Sequence, residues 1–193
     1  MAVSRVKSSS VLQGFPKYRS MLAGNAGYDP AATFLIQRIN GSGVSSVTFS
    51  SIPQTYSSLQ IRMNWLASVS GNGLLLEING SSSGIYDNHW LRGNGSAASA
   101  SYSINTSFNF LPTIINGSST TYPTGSIVDI HNYTSTTQNK TIRSFGGVDL
   151  NGSGEVVLAS GLWRNTSAIT SLRIYMSSGT FSSGSTFALY GMK

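Results

Sequence analysis

The chain has 193 residues, of which 39% are hydrophobic and only 9% charged, with a formal net charge of +6 and no cysteine. That length suits one domain with a substantial core, and the lack of cysteine excludes disulfides and thiolate metal sites. With a charged fraction far below the roughly 25% usual in soluble domains, the surface is solvated by the hydroxyls and amides of Ser, Thr and Asn.

Residues 1–32 show no sustained period and carry Gly14, Pro16, Gly24, Gly27 and Pro30 as breakers, which predicts an extended N-terminal arm. Val11, Leu12, Phe15, Tyr18, Met21 and Leu22 are too many large apolar groups for a merely solvated tail. The arm is therefore expected to order on a partner. Arg5, Lys7, Lys17 and Arg19 would meet acidic surface, and Val11, Leu12, Phe15 and Tyr18 would fill apolar grooves. Those four cations precede the first acid, Asp29, and beyond residue 32 the cations are spread singly rather than gathered in a patch. No nucleic-acid partner is expected on that distribution. No membrane association is expected either, because no apolar run approaches the ~20 residues that span a bilayer.

From Thr33 onward short apolar segments alternate with turn signals. Strands are expected at 34–39, 46–49, 58–67, 74–78, 85–91, 107–111, 127–133, 141–145, 155–162, 171–176 and 186–192. The clearest pattern runs through 49–79. Leu59, Ile61, Met63 and Trp65 alternate with Gln60, Arg62 and Asn64, so one face is apolar and the other polar. After Gly71-Asn72-Gly73 the pattern resumes with Leu74, Leu76 and Ile78 against Glu77, which predicts a hairpin. Asn-Gly pairs beginning at Asn40, Asn72, Asn79, Asn94, Asn116 and Asn151 supply the positive φ angles of tight turns. The segment 93–103 is poor in large side chains and reads as a long surface loop, and 179–185 as a shorter one. The last strand places Phe187 and Leu189 on one face and Ala188 and Tyr190 on the other. The expected fold is all-β: an antiparallel two-sheet sandwich over 33–193, jelly-roll-like, behind the extended arm.

Candidate chemistry is sparse. Asp87 and His89, and likewise Asp129 and His131, stand two apart and so share a strand face; were the two strands neighbours, four ligands could converge on a divalent metal. An Asp that merely orients a surface His explains each pair equally well. The acids Asp29, Glu77, Asp87, Asp129, Asp149 and Glu155 offer no preferred pair for glycoside hydrolysis. Gly80-Ser81-Ser82-Ser83-Gly84 matches the nucleophile elbow in letters, but a strand rather than a helix follows it. No catalytic residue, metal ligand or cofactor is assigned, and the chain reads as non-enzymatic. Aromatics leave one alternative, a sugar-stacking platform drawn from Trp90, Tyr102 and Tyr122, against core-anchor roles for Trp65, Trp90 and Trp163.

Three stretches carry a resemblance. They are Ala23-Gly24-Asn25 with Tyr28 and Pro30; Phe49, Ile52-Pro53, Tyr56, Leu59 and Ile61-Arg62; and the closing Phe187, Leu189-Tyr190-Gly191. Together they resemble a group of virion structural proteins of tailed bacteriophages, from about residue 21 to the end. The resemblance implies a β-sandwich module on the particle: a capsid decoration (cement) protein on the capsid exterior, binding the major capsid protein, as a homo-oligomer. The alternative is a tail or fibre module that binds host glycan through Trp90, Tyr102 and Tyr122. The shared motifs are packing and turn motifs, so no catalytic residue is carried over.

Overall fold

The computed structural model describes residues 33–71, 73–110 and 119–193. Twelve strands follow in order: β1 (Thr33–Gly41), β2 (Ser46–Phe49), β3 (Ser58–Trp65), β4 (Leu74–Ile78), β5 (Tyr86–Gly93), β6 (Ala98–Thr106), β7 (Asn109–Phe110), β8 (Thr124–His131), β9 (Lys140–Asp149), β10 (Gly154–Trp163), β11 (Leu172–Met176) and β12 (Ser185–Met192). Every pairing is antiparallel. An eight-stranded sheet runs β1-β12-β3-β8-β9-β10-β5-β6, and a four-stranded sheet runs β2-β11-β4-β7. The expected all-β, two-sheet architecture is present. Its strands divide eight against four: β1-β12-β3-β8 and the four-stranded sheet β2-β11-β4-β7 are interleaved along the chain, and β9, β10, β5 and β6 extend the larger sheet. The arm 1–32 lies outside the described residues.

Period-two patterning sets the orientation of the large sheet. Leu59, Ile61, Met63 and Trp65 of β3 turn inward, as do Val128 and Ile130 of β8 and Phe187 and Leu189 of β12. They meet Phe49, Leu74, Leu76, Ile78, Leu172 and Ile174 of the small sheet in one core. Trp65, Phe181 and Phe187 pack edge-on, with centroids 6.2 and 4.7 Å apart.

Two expectations are corrected. The segments on either side of Gly71-Asn72-Gly73 form no hairpin: β3 lies between β12 and β8 in the large sheet, and β4 lies between β11 and β7 in the small one. The two share a core rather than an edge. Alternation reports which face is buried, and it does so equally whether the next strand returns beside its predecessor or crosses about 10 Å to the facing sheet. Nor is 93–103 a loop. Only 94–97 turn, where Asn94 Oδ1 accepts the Ala97 N–H at 2.8 Å, and from Ala98 the chain runs back along β5. Strand pairing there rests on the backbone ladder, which small residues satisfy as well as large ones.

The turn chemistry holds where the chain reverses. Asn79-Gly80 and Asn151-Gly152 both take positive φ at both positions, whereas Asn40-Gly41 ends β1 as a strand. The Ile52-Pro53, Tyr56 and Gly191 positions form one packing unit. Tyr133 Oη donates to the Pro53 carbonyl and accepts the Tyr56 N–H. The Tyr56 ring lies flat on Gly191 of β12, where an added Cβ would sit 2.3 Å from ring carbons.

A buried cation completes the end of the core. Lys140 is inaccessible to solvent, and its Nζ donates to the carbonyls of Ser135, Gln138 and Thr166 at 2.7, 2.7 and 2.9 Å. It thereby ties the loop after β8 to the one after β10, and burial lowers its pKa from the usual lysine value.

Candidate docking face

The small sheet covers one face of the large sheet; the other face carries an apolar row. Cross-strand register aligns Leu91 of β5 with Leu158 of β10, Leu158 with Phe145 of β9, and Phe145 with Ile127 of β8. These side chains are 54%, 52%, 53% and 41% exposed, and Val156, two residues before Leu158 on the same face, is 52% exposed. Three strand spacings of about 4.8 Å give the row a span of about 14 Å. Single exposed apolar residues are ordinary, and a contiguous set on one sheet face is a candidate interaction surface.

A polar row runs beside it. Register aligns Tyr102, His89, Ser160, Arg143, Asp129, Gln60 and Tyr190 across seven strands. Contacts hold these groups in place. Tyr102 stacks on His89 with centroids 5.6 Å apart, and Gln60 Nε2 donates to Asp129 Oδ1 at 2.8 Å. Arg62 Nε donates to Gln60 Oε1 at 2.7 Å while its guanidinium lies 4.8 Å over the Tyr190 ring. Arg143 lies 2.9 Å from His131 Nε2. Because arginine only donates, the imidazole nitrogen is the acceptor of that contact. Apolar residues bordered by ordered Arg, Tyr and amide groups have the composition of a protein interface, with a dry centre and a polar rim.

A second feature lies at the hairpin tips of the same sheet. A cleft of about 1120 Å³ is lined by Arg92, Asn94, Pro123, Asp149 and Glu155, among others. Arg92 pairs with Glu155 at 3.4 Å and lies 5.8 Å from the Trp90 ring. Glu155 is nearly buried, and its Oε1 has no hydrogen-bond partner among the described residues.

The residues singled out in the sequence fall as follows. Arg5, Lys7, Val11, Leu12, Phe15, Lys17, Tyr18 and Arg19 lie outside the described residues. Trp65 and Trp163 are buried anchors, and Trp90 is half-buried. Trp90 shares the inward face of β5 with Asn88 and Arg92, whereas Tyr102 points outward with His89, so the two rings occupy opposite faces. Tyr122 is exposed just before β8, next to Pro123 at the cleft. The Asp-x-His pairs lie on β5 and β8, which β9 and β10 separate by about 14 Å. Each member has its own contact: Asp87 with Arg164 at 3.2 Å, His89 with Tyr102, Asp129 with Gln60 and His131 with Arg143. Among the described residues no three His or acidic side chains gather to hold a metal. Serines 81–83 lie in the connection that leads into β5, where Ser81 is bridged to Ile78 and its carbonyl accepts from Tyr86 Oη at 3.0 Å.

The apolar row was missed because strand phase hides it. In β10, Val156 and Leu158 alternate with Val157 and Ala159, so both faces read as apolar. That double-sided pattern was the available signal. The chain matches no protein-family model, no curated protein and no solved structure.

Proposed function

We propose that the chain is a non-enzymatic structural module of a bacteriophage virion, a capsid decoration protein that seats the outer face of its large sheet on the head shell. The observation that carries this reading is the exposed row Leu91, Leu158, Phe145 and Ile127 with its ordered polar border. A shell subunit needs a broad, flat, preorganised contact more than a deep pocket, and a sheet face provides one. The sequence resemblance supports the habitat, and the low charge supports close lateral packing. Co-sedimentation with expanded, undecorated heads tests the reading. Wild-type chain is expected to bind to saturation in proportion to capsomers, and the double variant Phe145→Asp, Leu158→Asp to lose binding while keeping its fold. Unchanged binding by that variant would overturn the assignment of the face. Deleting residues 1–20 tests separately whether the arm contributes.

A second reading, a tail or fibre module for host glycan, is favoured by the cleft. The Arg92–Glu155 pair presents a donor and an acceptor side by side, as vicinal sugar hydroxyls require, with Trp90 adjacent. Glycan-array binding abolished by Glu155→Gln, together with a copy number that follows the tail, would establish it over the first.

A further inference from the structure

Strand β6 ends the eight-stranded sheet, and its outer side has no strand partner among the described residues. Exposed edges of this kind are templates for pairing, and proteins ordinarily blunt them with charge, proline, a bulge or shortness. The other three sheet edges show such devices. β1 carries Arg38 and a register break between Leu35 and Gln37, β2 has four residues and β7 two. β6 has none over most of its length. Its nine residues, Ala98–Thr106, include no charged side chain and no proline, and all but Ser103 and Thr106 are exposed. Its one irregularity, opposite the Tyr86/Asn88 step and beside positive-φ Asn105, lies at the C-terminal end.

We infer that β6 is a self-pairing edge, which joins β6 of a second copy antiparallel about a twofold axis and extends the eight-stranded sheet across the dimer. Charge on the edge does not oppose a second copy as the occupant, and the strand is complementary to itself. At a formal net charge of +6, two copies repel wherever their ionic surfaces meet, but β6 brings no charge to the contact. The nearest ions on β5, Asp87 and Arg92, are each already paired, with Arg164 and Glu155. Antiparallel pairing of a strand with itself is isologous and closes at two copies. A twofold at Ser101 places Ala100 of one copy beside Tyr102 of the other and Ala98 beside Ile104. It thereby covers Tyr102 and Ile104, now 65% and 58% exposed. Register also aligns Ala100 with Leu91, so the apolar row of the docking face continues to the dimer axis. The inference names the surface of the expected homo-oligomer and stands independently of shell docking.

Sedimentation velocity of the full chain over a dilution series tests it. Wild type is expected to dimerise. Ser101→Lys and Tyr102→Lys, each a charge placed on the edge, are expected to sediment as monomers with unchanged circular dichroism, and Thr136→Lys, the same charge on a distant loop, to remain dimeric. A monomeric wild type, or edge variants that stay dimeric, would overturn the proposal. So would a dimer lost only with Phe145→Asp, which would place the contact on the sheet face. Head co-sedimentation of the monomeric Ser101→Lys variant, whose changed side chain lies off the docking face, keeps the docking reading separately measurable.

Discussion

Replacing Lys140 with methionine deletes the ammonium and keeps the aliphatic stem. The lost donors meet Ser135, Gln138 and Thr166 carbonyls at 2.7, 2.7 and 2.9 Å. Hydrogen bonds to a charged group contribute about 1.5–3 kcal/mol each, so the gross loss is about 4.5–9 kcal/mol. Against it stands the desolvation of the ammonium, several kcal/mol per ion, which the variant no longer suffers. Water also reaches part of the site, since Gln138 and Thr166 are exposed residues while Ser135 is half-buried. The balance is a destabilisation of about 3 kcal/mol, with a fall in Tm of about 6–12 °C at about 2–4 °C per kcal/mol for a chain of this size. Urea unfolding followed by tryptophan fluorescence measures it, with the m-value unchanged. A loss under about 1 kcal/mol, or a gain, would show that desolvation outweighs the three bonds and refute the reasoning. The pH dependence runs the other way. A lysine pKa lowered by burial means that the unfolded chain binds the proton more tightly. Stability therefore rises as pH climbs through the lowered value toward the ordinary 10.5, and Lys140→Met abolishes that rise.

Three more outcomes follow from the packing. Gly191→Ala drives a methyl into the Tyr56 ring and should cost about 1–3 kcal/mol in chemical denaturation. The cost should shrink in a Tyr56→Ala background, where the ring is gone. Tyr133→Phe strands the Pro53 carbonyl and the Tyr56 N–H and should lower stability by about 1–3 kcal/mol in the same assay. Burial raises the Tyr86 pKa from 10.0 to about 12, so the folded chain keeps a proton that the unfolded chain releases. Its contribution is full below 10.0 and lost as pH rises toward about 12. Alkaline unfolding curves should show that limb in the wild type and lack it in Tyr86→Phe.

The faces of the strands were legible where one side is polar. Leu59 to Trp65 alternates in the sequence as it does in the sheet, because burial against one facing layer imposes period two, whereas in β12 Ala188 is buried along with Phe187 and Leu189. Sheet membership was not legible. Trp65 and Leu74 both turn into the core, and nothing in their spacing tells a hairpin from a crossing between sheets. β6 was hidden because its pairing resides in the backbone, and Lys140 because its three acceptors are carbonyls of residues 135, 138 and 166, which no side-chain pattern announces. The candidate site was the least legible part. Aromatic type suggested Trp90 and Tyr102 together, while their odd spacing across paired strands sends them to opposite faces.

The central proposal is that the row from Leu91 through Leu158 and Phe145 to Ile127 is the surface by which the chain is held on a phage head. The most direct measurement is a residue-resolution reconstruction of a virion that carries it. The chain is expected on the capsid exterior, with those four side chains buried against the major capsid protein and Arg143 and Tyr190 at the rim. The same chain confined to the tail, or present on the head with this row facing solvent, would contradict it.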